Sequence, residues 1–356
     1  MKNIIKILLC VTTIYQVNAQ VSVLDSISKK PIPFVEIYLE SGSLLGTTNN
    51  LGEISQEFIV KSNLQKIYLH HSNYHNKKCF IDYNNEKILL LIPIKLPQQI
   101  LLPEVTVVSD RYKYVKLKAY FRSIQFNNKL PQYYMDGIVE YYVSIKTLSV
   151  KNAVLENRSF KDNQIQILKN KGLIQLDFNL VGVPYLEDFL TAQNLKKKYS
   201  VIEHDNTFDI RKDSALVGHI LLDINKTGLN LSIHSKNNPL KMKLFGTESN
   251  LINYNIEATF TKKTDDFKLK ELNWFKEIRE YELKSKKEKD YTHIDTIHEI
   301  FVIDKEFVDE KPKSSNSFYT FLNKNNYSTE FWNNKNITPI SDSVKMFIDQ
   351  KMSELK

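Results

Sequence analysis

Apolar and polar side chains alternate in short runs along most of this chain. Val35, Ile37 and Leu39 alternate with Glu36, Tyr38 and Glu40, the period of a strand with one buried face. Ser41-Gly42-Ser43 breaks that run. Gly46-Thr47-Thr48-Asn49-Asn50-Leu51-Gly52 then supplies residues that accept the positive φ of a tight turn. Strands are expected again over Glu53–Val60, Lys66–Leu69 and Lys87–Ile92. No helix-length periodic segment falls between Val21 and Ser109, so this stretch reads as a compact all-β module.

A different pattern begins near Arg111. Leu117, Tyr120, Phe121 and Ile124 recur at helical spacing ahead of Pro131, which predicts a short amphipathic helix. Tyr133–Ser144 alternates strongly as a strand. Further strands are expected at Leu173–Leu180, Thr207–Ile210, Gly218–Asn225, Leu229–Ser235, Met242–Phe245, Leu251–Thr261, Lys268–Leu283 and Tyr291–Ile303. Turn chemistry at Asn225–Gly228, Lys236–Pro239 and Lys263–Asp266 separates them, as in an antiparallel meander where each strand pairs with the next. Short helices are expected around Phe318–Leu322 and over Ser341–Lys356, where Val344, Phe347, Ile348 and Met352 share a face behind a Ser341 cap. The fold class is therefore mostly β, with a curved, half-barrel-like antiparallel sheet in the second part and a few short helices on its concave side.

Composition sets the compartment more than the chemistry. The chain has 356 residues, 42% of them hydrophobic and 11% aromatic, which supplies folded cores and excludes wholesale disorder. Lys2 and Lys6 precede the apolar stretch Ile7–Ile14, and Val17-Asn18-Ala19 offers a signal-peptide cut before Gln20. A retained membrane anchor is the alternative. A lipoprotein reading would need a small residue before Cys10, where Leu9 stands. Cleavage removes two lysines and no acid, so the net charge of +8 falls to +6. It also leaves Cys79 alone, with no internal disulfide to form. No later apolar run is long enough to span a bilayer. Only Arg111, Arg122, Arg158, Arg211 and Arg279 are arginines, so the positive charge is mostly scattered lysine, without the arginine forks and motifs of nucleic-acid binding. The expected division is a signal peptide over 1–19, a β module over 20–109 and a β-rich meander over 110–356.

The front module carries a resemblance. Val21-x-Val23-x-Asp25, Pro31-Ile32-Pro33-Phe34-Val35 and Gly46–Ile54 resemble the carboxypeptidase regulatory-like domain. That family is a prealbumin-like, seven-stranded β-sandwich found at the front of secreted and outer-membrane proteins of two-membrane bacteria. Its usual pattern reads Gly-x-Val-x-Asp, Pro-Leu-x-Gly-Ala and Gly-Thr-x-Thr-Asp-x-x-Gly-x-Phe. Here Val21 and Phe34 stand at glycine positions, Asn49 or Asn50 at the aspartate and Ile54 at the aromatic. Asparagine keeps the side-chain oxygen that the turn needs. The resemblance implies a docking or spacing module that accompanies catalytic domains without catalysing. Leu102–Val108 resembles the linker that follows this module in TonB-dependent receptors, but a plug together with a barrel of some twenty strands at roughly ten residues each, and the loops between them, exceeds the length left. Residues 111–356 resemble an uncharacterised β-rich domain of secreted bacterial proteins, through Tyr133–Tyr142 and Phe331-Trp332-Asn333-Asn334.

Candidate chemistry is sparse. His70, His71, His75 and Cys79 are the densest set of metal-ligand types, but adjacent strand residues point to opposite faces and the spacing matches no zinc motif. His293 and His298-Glu299 sit in a strand pattern, which keeps the two imidazoles off a common helix face. Asp295 shares a strand face with His293, and an ordinary surface pair is expected. Ser232-Ile233-His234-Ser235 and Glu203-His204-Asp205 hold triad-type residues without a nucleophile elbow. Tyr133, Tyr134, Tyr141, Tyr142, Trp274, Phe275, Phe301 and Phe307 either line a lipid or glycan cavity or fill the core, and core is the expectation. No catalytic, cofactor-binding or metal residue is assigned. The expected function is that of an exported, non-enzymatic binding or scaffold protein of the cell envelope. Its partner would be a periplasmic or outer-membrane protein, an apolar ligand or a glycan. An extracytoplasmic hydrolase of peptide or glycan is the alternative.

Overall fold

The computed structural model describes residues 21–49, 51–55, 66–80, 88–93, 112–165, 179–186, 191–204, 207–222, 229–235, 240–244, 247–261, 267–285, 289–310, 324–333 and 337–355. The chain is mostly β. The described residues between Val21 and Leu91 form two small sheets. One orders β4 (Glu53–Ile54), β1 (Val21–Asp25) and β7 (Ile88–Leu91). The other orders β3 (Leu44–Thr47), β2 (Glu36–Tyr38), β5 (Ile67–His70) and β6 (Lys77–Cys79). Val23, Val35, Ile37, Ile54, Ile67, Leu69 and Leu89 close one core between them. The turn into β4 uses the expected chemistry: Asn49 Oδ1 accepts from Leu51 N and Glu53 N at 2.8 and 2.9 Å, and Gly52 takes φ 70°.

Among the described residues from Tyr114 onward, twelve strands form one antiparallel sheet. Its strands are β8 (Tyr114–Asn127), β9 (Leu130–Ser144), β10 (Val150–Asp162), β11 (Ser200–His204), β12 (Thr207–Lys212), β13 (Ala215–Leu222), β14 (Leu229–Ser235), β15 (Leu240–Leu244), β16 (Thr247–Phe260), β17 (Leu272–Ser285), β18 (Thr292–Val308) and β19 (Met352–Glu354). The order is 11-12-13-14-16-17-18-8-9-10-19, with β15 paired to β16. The meander is thus interrupted. β18 returns to pair with β8, and the chain crosses from β10 to the far edge at β11.

Two expectations are corrected here. The helix read from Leu117, Tyr120, Phe121 and Ile124 is strand β8. Leu117 and Phe121 face one core, while Tyr120 and Ile124 face others on the opposite side. A strand covered on both faces has no polar alternation, and its apolar residues can mimic a helical spacing. The closing helix α2 (Asp342–Lys351) stops short of Lys356, because Met352–Glu354 turns into an edge strand on β10. Ser341 precedes this helix without a side-chain cap bond. The proposed strand Leu173–Leu180 lies mostly outside the described residues, and Phe318–Leu322 wholly so.

The large sheet is buried on both faces. Leu117, Phe121, Tyr133, Tyr141, Ile233, Ile256 and Phe275 on one face enclose Val181, Val183 and Leu186 together with Ala192 and Leu195 of helix α1 (Ala192–Lys198). The chain's own segment covers that face. On the other face, Ile124, Phe126, Tyr134, Ile278 and Ile297 pack against Phe34, Tyr38, Leu44 and Tyr68 of the small sheets and against Val344 and Ile348 of α2. Helices α1 and α2 therefore lie on opposite faces of the large sheet, α2 on the face that packs against the small sheets.

Candidate functional site

Strand alternation decides what lies between the two parts. Ile37, Ile67 and Leu69 point into the core of the small sheets, which turns Glu36, Tyr38, Tyr68 and His70 outward. Water does not receive that polar face. Glu36 and His70 are 2% and 1% exposed, because the large sheet covers them.

The covering face carries a row of charges of alternating sign. Glu257 on β16 stands in register with Lys276 on β17, Lys276 with Glu299 on β18, and Glu299 with Arg122 on β8. Arg122 stands opposite Asp136 on β9, and Asp136 opposite Arg158 on β10. Six adjacent strands thus place acid, base, acid, base, acid, base along one line, and opposite charges directly across strands attract. Arg122 Nε donates to Glu299, whose other carboxylate oxygen accepts from Ser72 Oγ. Arg122 Nη1 donates to Thr338 O at 2.7 Å. Lys276 Nζ lies 2.5 Å from Glu36 and donates to Phe34 O at 3.3 Å. His71 Nε2 lies 3.3 Å from a Glu257 carboxylate oxygen. At the far end Arg158 donates twice to Asp136, at 3.0 and 2.6 Å, and its guanidinium stacks 3.7 Å from the Trp332 ring centre. Tyr120 and Tyr134 hydroxyls both donate to Asp136 at 3.1 Å.

Electrostatics follow from this packing. Burial alone would raise the Glu299 carboxyl, but Arg122, Lys276 and His70 hold it down at about 2. Burial opposes ionisation of Glu36 too, and Lys276 and His70 overcome it, so its pKa falls. Burial would lower Lys276, yet Glu36, Glu257 and Glu299 raise it. For His70 burial prevails, and the imidazole is pushed down towards its neutral form. Burial also prevails at Asp136, whose pKa is raised despite Arg158 and the two phenols.

The sequence-level candidates scatter. His70 and His71 are both buried but serve different partners, Asn76 and Arg122 for His70 and Glu257 for His71, so they do not join one ligand set. His75 is exposed, and Cys79 packs beside the small-sheet core. His293 and Asp295 pair at 3.1 Å as expected, although Asp295 is only 2% exposed and so is no surface residue. With Glu280 they bring three ligand-type atoms within 4.8 Å of one another. His298, on the other face, lies 2.6 Å from Ser123 Oγ, which also accepts from Gly182 N. Burial, followed by Arg279, lowers His298 to about 3. Glu203 and His204 are exposed, and Asp205 lies outside the described residues. Tyr133, Tyr141 and Phe275 fill the core that encloses Val181–Leu186. A groove of about 600 Å³ opens beside Lys118, Ile138, Glu156, Ile303 and Phe331. Comparisons with family models, curated proteins and solved structures give no match to this chain.

Proposed function

We propose that this chain is an exported, non-catalytic scaffold or binding protein of a bacterial cell envelope, in which a regulatory-like module is fixed rigidly onto a half-barrel-like platform. The observation that carries this reading is the closure of the module's outward polar face onto the charge row, which commits Glu36, His70, Arg122, Lys276 and Glu299 to one another. Groups held this way serve rigidity; a catalytic set needs an open side. The two small sheets, seven strands around one core, support the sandwich reading of the module. So does Phe34, which holds φ 53° where the resembling family has glycine. The groove beside Lys118 and Phe331 offers a seat of mixed polar and apolar character for a partner segment. Among the described residues no helix is long and apolar enough to cross a membrane, which says nothing of crossing by strands.

A hydrolase is the second reading, and the Ser123–His298 pair at 2.6 Å favours it. A base held near pKa 3 is poorly matched to neutral pH, and Ser123 is fully buried, which argues the other way. Expression with the leader in a two-membrane bacterium, followed by fractionation and intact mass, tests export: a periplasmic chain beginning at Gln20 is expected. Peptide and glycan hydrolysis is expected to be absent. Turnover that disappears in Ser123→Ala and His298→Ala would establish the hydrolase instead.

A further inference from the structure

The Glu280, His293 and Asp295 cluster lies away from the charge row and is independent of the scaffold reading. We infer that it is a divalent transition-metal site of the zinc class, occupied at rest by the chain's own ammonium group from Lys129.

The geometry begins with β17 and β18. Glu280 and Asp295 stand opposite each other in register, and His293 lies two residues before Asp295 on the same face. His293 Nε2 and Asp295 Oδ1 are 3.1 Å apart. Two ligands of a tetrahedral zinc, each at about 2.0–2.1 Å, are separated by roughly 3.3–3.4 Å, so this pair is spaced as one edge of such a shell. Glu280 completes a set of three whose ligand atoms lie within 4.8 Å of one another. Asn253 Nδ2 donates to Glu280 Oε1 at 3.0 Å, a partner that orients the carboxylate.

A cation already sits there. Lys129 Nζ lies 3.2 and 3.1 Å from the two Asp295 carboxylate oxygens and 3.1 Å from His293 Nε2. The site therefore attracts positive charge and places a nitrogen and carboxylate oxygens around it. Its donors are imidazole and carboxylate, which suit zinc and its neighbours rather than the all-oxygen shells of calcium or magnesium. Three protein ligands leave a fourth position for water.

Displacing the lysine asks little of the fold. Asn128 and Lys129 form the β8–β9 turn with φ 47° and 74°. That turn is pinned by Asn128 N to His293 O at 2.7 Å, and by Leu44 N to Lys129 O at 2.9 Å. Those bonds involve the main chain or Asn128, and the Lys129 side chain, about one-third exposed, can swing into solvent without breaking them.

Isothermal titration of the full chain with zinc chloride, with magnesium and calcium chlorides as comparators, tests this. One zinc per chain is expected, with magnesium and calcium at least tenfold weaker. Lys129→Ala should tighten zinc binding tenfold or more, because it removes the competing cation. His293→Ala should weaken it at least tenfold. His293→Gln, with circular dichroism to confirm the fold, guards against a loss caused by unfolding. Absence of zinc binding by the parent chain, zinc affinity unchanged in both His293 variants, or no gain in Lys129→Ala would each overturn the inference.

Discussion

Each arginine within the described residues meets a carboxylate: Arg122 with Glu299, Arg158 with Asp136, Arg211 with Asp209 and Arg279 with Glu277. The planar guanidinium fork suits such pairing better than a lysine ammonium does, and lysine supplies most of the remaining positive charge. Buried pairs are costly to break one-sidedly. Arg122→Met should destabilise the fold by about 3–5 kcal/mol in denaturant titration, since it strands Glu299 away from water. Lys305 behaves oppositely. Burial lowers it to about 8, with Asn273 as an uncharged partner at 2.9 Å. Lys305→Met should therefore stabilise the fold by about 1–2 kcal/mol, on the usual cost of burying a polar group; an unchanged or lower midpoint would refute that cost here. Phe34 combines strain with packing: its backbone is left-handed, while its buried side chain fills the contact with the large sheet. Phe34→Gly should relieve the first and lose the second, for a net destabilisation of about 2–4 kcal/mol, because cavity costs exceed the strain of one residue.

Among the elements, the charge row acts as a register lock. A slip of one residue would turn each charge to the other face, and a slip of two would break the opposed pairs. Gly137 sits on the same sheet where β10 carries a bulge between Val154 and Glu156. A Cβ there would lie 2.2 Å from Glu156 O and 2.7 Å from the Phe121 ring. Gly137→Ala should thus cost about 1–3 kcal/mol through overpacking, read as a lowered melting point with the β content retained. Much of this level was legible in sequence: β9 and β14 were visible as alternation or as apolar runs between turns. β8 was not, because cores on both faces erased its polar period. β10 was missed because Asn152, Asn157 and Ser159 are buried in it, so its inner positions look like outer ones. The charge row was out of reach. Arg122 and Arg158 lie in the two strands that the pattern hides, the alignment of all six charges depends on the register of six strands, and β18 pairing with β8 brings Glu299 to Arg122, 177 positions away. The metal-type cluster was half legible: His293 and Asp295 share a face by period, whereas Glu280 and Lys129 arrive only through pairing and the turn.

For the whole molecule, these groups make stability depend on pH. His298 and His70 have lowered folded values, so the unfolded chain binds protons first as pH falls below about 6.5. Their contribution is present above that pH and is lost on acidification, for His298 down to about 3. Glu299 and Glu36 are also lowered, so their contribution is full above the ordinary carboxylate range and disappears below it, for Glu299 as pH approaches about 2. Asp136, raised by burial, gains stability on acidification and opposes this trend, so unfolding midpoints should decline from pH 7 to pH 3 by less than the lowered groups alone would give. His298→Asn should flatten the first part of that decline, and a decline of unchanged slope would remove His298 from the account.

The proposed scaffold role depends on a rigid union of the small sheets with the large one. Native-state hydrogen exchange of the full chain at rising denaturant, resolved by peptide mass, measures that union. Amides around Ile37 and Leu69 are expected to open with the same free energy and denaturant dependence as those around Ile278 and Ile297, because the neighbouring Tyr38 and Tyr68 share one buried core with Ile278 and Ile297. Opening of the first pair at lower denaturant, while the second pair stays protected, would show two separable bodies and contradict the account.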